Sequence, residues 1–212
     1  MKTIGIIDYG MGNLGSVSNA CRFLKLDSLV LEQPDQISQC RALILPGVGA
    51  FKDCMTYLNQ SGFAEAARSW IDSGRPFLGI CLGLQILYEG SEESPGTAGL
   101  NVFPGTIRRF RLDPELKVPQ IGWNRVRQVR PKCPLFHNIP NDAFFYFVHS
   151  YYAAASTDIP TAGTTDYGID YTSAVWRDNV MAVQFHPEKS QHTGLQVLKN
   201  FSSWTEKQGA VS

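Results

Sequence analysis

A cysteine and a distant histidine–glutamate pair are the residues whose types and spacing could do chemistry together. Cys81 follows the apolar run 77–80 and stands in a Gly-x-Cys-x-Gly pattern that leads into a helical pattern. This is the cysteine form of the nucleophile elbow, a tight turn at the carboxyl end of a strand where only glycine fits beside the nucleophile. A following helix would point its positive end at the sulfur and favour the thiolate.

The histidine–glutamate pair follows a second apolar run, residues 180–185. His186 and Glu188 are separated by Pro187, which stiffens the turn between them. An imidazole can hold the proton of a thiol and later give it to a leaving amine, while a carboxylate fixes the tautomer and orientation of the ring. We therefore predict that Cys81 is a nucleophile, that His186 is its general base and acid, and that Glu188 orients His186.

Each of the two motifs has a purely structural explanation when it is taken alone. A cysteine in an apolar run is commonly a small buried hydrophobic residue, and a His-x-Glu segment is commonly an exposed loop. The two motifs together, in this order and each after a strand, favour catalysis over both explanations. The other four cysteines lack the elbow pattern and are interpreted as structural: Cys21, Cys40, Cys54 and Cys133.

Acyl chemistry through a tetrahedral intermediate also needs N–H groups that stabilise an oxyanion. The Pro-Gly-Val-Gly segment 46–49 follows a predicted buried strand, and its glycines free the backbone to turn N–H groups of Gly47 and Val48 towards a ligand. The amide of Leu82, directly after the nucleophile, is the second candidate donor. The structural alternative for segment 46–49 is a plain turn between strand and loop.

The elements that must position these residues alternate in the first half of the chain. We predict strands at 3–8, 28–32, 42–45 and 76–80, and helices at 12–24, 63–72 and 82–88. In the second half we predict strands at 106–111, 124–129, 144–152, 172–177 and 180–185, a hairpin turn at 178–179 and a helix at 195–206. The first pattern indicates a parallel sheet with helices on both faces and chemistry at the carboxyl ends of its strands. The second indicates an antiparallel portion, so the predicted fold is α/β with a central, mostly parallel sheet.

Composition excludes several classes of function. The 19 basic and 19 acidic residues balance, which leaves no electrostatic footprint for nucleic acid or an anionic membrane. No apolar run approaches the length that spans a bilayer, and the N-terminal apolar run is too short for a signal peptide. The five cysteines include no Cys-x-x-Cys pair, which predicts reduced thiols in a cytoplasmic protein. The length of 212 residues fits a single domain, residues 1–212.

The motifs together resemble the class I, triad-type glutamine amidotransferases, in which Gly-x-Cys-x-Gly and His-Pro-Glu supply a Cys-His-Glu triad. Further segments resemble one subgroup of that family, the glutaminase subunits of a two-subunit synthase: residues 8–14, 46–49, 122–124, 146–151 and 184–190. That subgroup often has His-Met before Gly-Trp-Asn, where this chain has Gln120 and Ile121. The resemblance implies one glutamine amidotransferase type-1 domain over residues 1–212.

The resemblance also implies an activity and a partner. The implied reaction is hydrolysis of glutamine to glutamate and ammonia through a Cys81 thioester, with no metal and no organic cofactor. The implied partner is a (β/α)8-barrel cyclase, bound as a heterodimer. It uses the ammonia to make imidazole glycerol phosphate and aminoimidazole carboxamide ribotide in histidine biosynthesis. No nucleic acid or membrane partner is implied.

Individual residues receive roles from the same resemblance. It implies glutamine contacts for Gly49, Gln85, Glu93, His149, Ser150 and Tyr151, and a face towards the partner that includes Asn13, Trp123, Tyr146 and Lys189. By residue type alone, His149 could equally be a core histidine with satisfied ring nitrogens. Two rival functions stay open. One is a glutaminase of the same fold that serves another synthase or acts alone, which the Gly-Trp-Asn segment disfavours. The other is a non-catalytic binding subunit, which the intact triad disfavours.

Overall fold

The computed structural model describes residues 3–154 and 159–208, so Met1, Lys2 and the far end of the predicted domain 1–212 lie outside the described residues. The strands within these ranges are β1 (Thr3–Ile7), β2 (Ser28–Leu31), β3 (Cys40–Gly47), β4 (Phe77–Cys81), β5 (Gly90–Ser91), β6 (Thr106–Arg109), β7 (Gln120–Gln128), β8 (Ala143–His149), β9 (Tyr151–Ala154), β10 (Thr161–Asp166), β11 (Asp170–Arg177) and β12 (Val180–Val183). The α-helices are α1 (Leu14–Phe23), α2 (Phe51–Gln60), α3 (Phe63–Asp72), α4 (Leu82–Gln85) and α5 (Gln191–Gln208). Short 3-10 turns are formed by Pro34–Gln39, Pro134–Phe136 and Pro187–Lys189.

One mixed sheet runs through the molecule. Its main path has the order β2-β1-β3-β4-β12-β11-β10-β7-β8, while β5, β6 and β9 pair beside it. Strands from β2 to β12 along this path are parallel, and those from β12 to β8 are antiparallel. This topology confirms the predicted α/β fold with a parallel sheet and an antiparallel portion.

Both faces of the parallel half are covered, as continuous apolar strands require. Alternate residues of β3 show this, because Leu43 and Leu45 belong to a different buried cluster from Ala42 and Ile44. The first cluster contains the apolar faces of α2 and α3, and the second contains those of α1 and α5. The sheet is therefore rigid where three of its strands end at the candidate site.

Several predicted bounds are wrong, and the errors have local causes. The helix predicted at 82–88 is a single turn, α4. It ends because the carbonyl groups of Ile86, Leu87 and Tyr88 accept hydrogen bonds from amides of residues 100–103 instead of continuing the helix. The strand predicted at 144–152 is two strands, β8 and β9, which break at Ser150 beside the candidate site. The strand predicted at 180–185 ends at Val183. Helix α2 and strand β10 were not predicted.

The sheet order brings the predicted chemical residues to one edge. Strand β4 lies between β3 and β12, with Gly47 opposite Cys81 and Val183 opposite Ile80. All three strands are parallel, so their carboxyl ends, and the segments that follow them, meet at the same place. Among the described residues, no helix combines the length and the apolar character needed to cross a membrane.

Candidate active site

Cys81 occupies a strained turn at the end of β4. Its backbone has φ 56 and ψ −109, a region that residues other than glycine rarely adopt. The turn requires glycine on both sides. A methyl group on Gly83 would collide with the carbonyl oxygen of Leu45, and one on Gly79 would collide with the carbonyl oxygen of Gly83. The side chain of Cys81 is thereby held outwards from the strand end, as the elbow pattern predicts.

The helix that follows Cys81 differs from the prediction in a way that affects the chemistry. With only four residues, α4 has few aligned peptide dipoles to direct at the sulfur. The predicted favouring of the thiolate by a helix terminus is therefore weak here. Side chains around the sulfur have to supply most of the stabilisation instead.

His186 and Glu188 form a buried pair beyond the end of β12. The Nδ1 atom of His186 lies 2.8 Å from Oε1 of Glu188, and the two side chains are 2% and 1% exposed. The turn Pro187–Lys189 fixes this spacing, and Ser190 Oγ donates to the His186 carbonyl at 2.6 Å. A carboxylate on Nδ1 leaves Nε2 as the ring nitrogen available for proton transfer.

The charge on His186 is governed by its neighbours. Burial lowers its pKa, but the nearby Cys81 sulfur and the Glu188 carboxylate outweigh burial and raise the pKa to about 10. Nε2 is buried without a hydrogen bond of ordinary geometry among the described residues. Such catalytic contacts are often long before substrate binds. The arrangement favours the imidazolium form of His186.

The candidate oxyanion segment lies directly against the elbow. A methyl group on Gly47 would lie 2.8 Å from Leu82 Cβ and 2.9 Å from the Gly83 nitrogen, so glycine is required for this close approach. Gly49 has φ +89, which favours glycine, and its α-carbon faces the side chain of Met11. Val48 and Leu82 border the same space, and the oxyanion role of their amides stays a prediction.

A cavity of about 300 Å³ joins these groups. Ten of the predicted site residues line it: Val48, Gly49, Cys81, Leu82, Gln85, Glu93, His149, Ser150, Tyr151 and His186. Two of the predicted catalytic, oxyanion and glutamine-contact residues do not: Gly47, which packs against Leu82 and Gly83, and Glu188, which lies behind His186. Sequence reasoning missed Pro119 and Val148, which also line the cavity. It also gave no role to Gln184, a polar residue in an apolar run whose amide faces the sulfur of Cys81.

Three of the residues predicted to contact glutamine also hold the cavity wall together. Glu93 Oε2 accepts a hydrogen bond from the Phe51 amide at 2.7 Å, which joins the 93 loop to the start of α2. Gln85 Nε2 donates to the Tyr151 carbonyl at 3.0 Å, so α4 is tied to β9. These contacts position the residues, and their contact with glutamine stays a prediction.

His149 is both a cavity residue and a core histidine. Nδ1 lies 2.8 Å from the Tyr151 carbonyl, and Nε2 lies 3.2 Å from the Tyr171 hydroxyl. Burial lowers the pKa of His149 to about 4, although the hydrogen bond to Tyr151 opposes this, so the ring is neutral at pH 7. A neutral ring that meets a carbonyl must donate from Nδ1, which leaves Nε2 as an acceptor. Nδ1 of His149 is therefore engaged within the protein, whereas the single hydroxyl proton of Tyr171 is donated to Gln120 Oε1.

Two of the predicted partner-face residues, Trp123 and Tyr146, lie on the outer side of the antiparallel strands. Trp123 is opposite Tyr146 in the β7–β8 pair, their rings meet edge to face at 6.0 Å, and Trp123 is 46% exposed. Lys189 Nζ lies 6.0 Å from the Tyr146 ring centre. Asn13 precedes α1, a helix that contacts the Pro187–Lys189 turn. Trp123, Tyr146 and Lys189 thus lie together on one side of the molecule.

The departure at 120–121 has a clear structural consequence. Gln120 points inwards and its Oε1 accepts a hydrogen bond from the Tyr171 hydroxyl at 2.9 Å. Ile121 points outwards beside Trp123 and is 63% exposed. The departure from the subgroup pattern therefore keeps an exposed apolar side chain at position 121 on this side.

Comparison with known proteins agrees with this geometry. Residues 5–203 match the family model described as Glutamine amidotransferase class-I. A protein of Syntrophotalea carbinolica called "Imidazole glycerol phosphate synthase subunit HisH" is 50% identical over 203 residues, which cover 93% of this chain and 98% of that protein. A protein of the same name from Desulfitobacterium hafniense is 46% identical over 209 residues, covering 99% and 98%. The structure of PurLQS from Thermotoga maritima is 15% identical with a TM-score of 0.76, covering 96% of this chain and 99% of that one, a likeness of fold alone.

Proposed function

The chain belongs to the class I glutamine amidotransferases, and from that membership we propose that it hydrolyses glutamine as the glutaminase subunit of an imidazole glycerol phosphate synthase in histidine biosynthesis. The observation that supports this most strongly is local. Cys81 sits on a strained strand end, and His186, with Glu188 buried behind it, lines the same cavity. Relatives 46–50% identical along nearly the whole chain are named as an imidazole glycerol phosphate synthase subunit, which selects the synthase.

The first half of the reaction makes a thioester and releases ammonia. The Cys81 thiolate attacks the side-chain amide carbon of glutamine, and the carbonyl oxygen takes up negative charge. Amides of Val48 and Leu82 stabilise that oxyanion. As the C–N bond breaks, Nε2 of His186 gives its proton to the leaving nitrogen, which departs as ammonia. Glu188 stabilises the imidazolium throughout.

The second half of the reaction returns the enzyme to its starting state. Nε2 of His186, now deprotonated, accepts a proton from a water molecule as the water oxygen attacks the thioester carbon. A second oxyanion forms and collapses, the C–S bond breaks, and its electron pair returns to the sulfur of Cys81. The new carboxyl group loses its proton to solvent, glutamate leaves, and His186 keeps the proton taken from water as imidazolium.

The proposed partner is a (β/α)8-barrel cyclase that receives the ammonia in a heterodimer. The outer side of β7 and β8 supports this assignment, because the large apolar side chains of Ile121, Trp123 and Phe144 are exposed there. The same strands lie next to the catalytic pair, since the His186 amide donates to the Tyr146 carbonyl at 2.9 Å. A partner bound on this face would therefore press on the element that holds His186.

We further propose that residues 1–212 form one glutamine amidotransferase domain and that the protein works in the cytoplasm. The two buried clusters support a single domain, because each contains residues from early and from late in the chain. The five free, buried cysteines support a reducing compartment.

Separating the two half-activities tests the proposed function. We expect the Cys81→Ala variant, bound to its cyclase, to lose glutamine-dependent synthesis of imidazole glycerol phosphate by several orders of magnitude. Synthesis from added ammonium salt should remain at the wild-type rate, because the cyclase is intact. A wild-type chain that hydrolyses glutamine but supports only a different synthase would identify the rival glutaminase. A wild-type chain that binds glutamine without hydrolysing it, with or without the cyclase, would identify a binding subunit.

A further inference from the structure

Gln184 is a fully buried polar side chain between the end of β12 and His186. Its Nε2 atom lies 3.7 Å from the Cys81 sulfur, within hydrogen-bonding range for a sulfur acceptor. Its Oε1 atom lies 3.0 Å from Nε2 of Gln85. None of the catalytic steps above uses Gln184, yet its amide lies against the reacting atom.

The orientation of the Gln184 amide follows from its neighbours. Gln85 directs Nε2 at the backbone carbonyl of Tyr151 at 3.0 Å, and a carbonyl can only accept. The same Gln85 nitrogen lies against Gln184, so the atom that Gln184 presents there must be its acceptor oxygen. The other end of the Gln184 amide, which faces the sulfur, is therefore the NH₂ group. The Tyr151 carbonyl therefore determines which end of each amide, in Gln85 and in Gln184, is the donor.

That carbonyl is itself held firmly. It accepts a second hydrogen bond, from Nδ1 of His149 at 2.8 Å. With both of its lone pairs engaged, the Tyr151 oxygen resists rotation of the peptide, and the amides of Gln85 and Gln184 lose the freedom to flip. An N–H donor is thus presented to Cys81 before any substrate arrives.

We propose that Gln184 stabilises the Cys81 thiolate and positions its sulfur by donating a hydrogen bond from Nε2, with Gln85 holding the donor in the correct orientation. This inference rests on the proposed function, since it concerns the nucleophile of that reaction. The contact acts twice in each turnover. It stabilises the anion before attack, and it stabilises the same anion when the C–S bond breaks and the electron pair returns to sulfur. The hydrogen bond from Gln184 also supplies the stabilisation of the thiolate that the single-turn helix α4 is too short to provide.

Alkylation of Cys81 by iodoacetamide, followed by mass spectrometry of its peptide, tests this role without substrate. The alkylation rate follows the fraction of Cys81 that is present as thiolate, so the midpoint of its pH profile is the apparent pKa of the Cys81 thiol. Gln184→Met keeps the side-chain length and removes the donor. Loss of a hydrogen bond to a charged group corresponds to about one to two pH units, and the long N···S distance leads us to expect about one. Alkylation below the midpoint should slow about tenfold.

The other titratable groups around Cys81 are unchanged in this variant, so they cannot cause the shift. They are His186 with Glu188 behind it, and Tyr9, Glu93 and His149. Gln196→Met provides the matched control, because Gln196 is a half-buried glutamine on α5 with one side-chain hydrogen bond, to Asn200. Its profile should coincide with that of the wild type.

Two further variants make the result decisive even if Gln184→Met does not fold. Gln184→Glu replaces the donor by a carboxylate of the same shape and should raise the midpoint at least as far as methionine does. Gln85→Met frees the Gln184 amide to flip and should raise it less, with no additional rise in the double variant. A folded Gln184→Met or Gln184→Glu variant with the wild-type midpoint would overturn the inference. If the wild type itself failed to hydrolyse glutamine, the proposed function would fail instead, so the two failures are distinguishable.

Discussion

Backbone strain at Cys81 can be measured by comparing alanine with glycine at that position. A residue with a Cβ atom held at φ 56 and ψ −109 carries about 1–3 kcal/mol of strain. Alanine keeps the Cβ atom and the strain, whereas glycine removes both. Glycine also loosens the unfolded chain and removes one buried methyl group, so the comparison at Cys81 needs a reference site.

Cys54 is the matched reference, because it is a buried cysteine in the ordinary helical backbone of α2. Replacing alanine by glycine there should cost about 1 kcal/mol through helix propensity and about 0.8 kcal/mol through the lost methyl group. Losses of similar size apply at Cys81, but relief of about 2 kcal/mol of strain opposes them. We expect Cys81→Gly to match or slightly exceed Cys81→Ala in stability, and Cys54→Gly to fall about 2 kcal/mol below Cys54→Ala.

Urea denaturation of the four variants gives the answer. The free energy of unfolding is obtained from the midpoint at a shared slope, and the glycine-minus-alanine difference is taken at each site. The two differences should themselves differ by about 2 kcal/mol, which is the strain. An equal glycine penalty at Cys81 and Cys54 would refute the reasoning, since it would mean that the elbow backbone costs nothing.

Three further predictions concern the catalytic pair, the buried histidine and the partner face. Glu188→Gln should lower kcat for glutamine less than His186→Ala, because loss of the orienting group leaves the base in place, and wild-type rates in both variants would deny the pair a catalytic role. Burial lowers the pKa of His149 to about 4. Between about pH 6.5 and pH 4 the unfolded chain therefore binds a proton at this ring that the folded chain does not bind, and the free energy of unfolding falls as the pH drops through this range. Between about pH 8 and pH 5 the unfolding free energy of His149→Asn should therefore fall by roughly 2 kcal/mol less than that of the wild type. Urea titration at each pH measures this, and parallel curves would contradict it. Trp123→Ala should weaken cyclase binding at least about tenfold by calorimetry, whereas Tyr57→Ala, at a side chain of similar exposure on α2, should leave it unchanged, and equal effects would argue against the proposed face.

The secondary structure can be predicted where the apolar pattern is strong. Prediction fails where pairing with distant strands decides the conformation. Helix α3 has the predicted bounds, since Phe63, Ala67 and Trp70 recur at helical spacing. Helix α2 has the same spacing in its buried residues and was missed although the signal was present. Strand β10 has no apolar alternation in its threonine-rich sequence, and its extended form depends on pairing with β11 and β7. Local sequence does not contain that information.

The candidate site divides in the same way. Motifs revealed Cys81, His186 and Glu188 because the chemistry demands those residue types at strand ends, and the sheet does bring the strands together. Gln184 could have been noticed as a polar residue in an apolar run. Its contact with Cys81, however, depends on the pairing of β12 with β4, which brings together residues 103 positions apart, and no local sequence pattern specifies that strand order. The contact between the His149 ring and Tyr171 depends on the same kind of long-range pairing.

A glutamine analogue that carries an electrophilic carbon in place of the side-chain amide tests the central claim most directly. The chain, bound to its cyclase, is incubated with the analogue, glutaminase activity is followed, and the modified peptide is identified by mass spectrometry. If Cys81 is the nucleophile, activity will fall in proportion to a single adduct on the Cys81 peptide, and added glutamine will protect it. Complete inactivation with the adduct on another residue, or full modification of Cys81 with activity retained, would contradict the account.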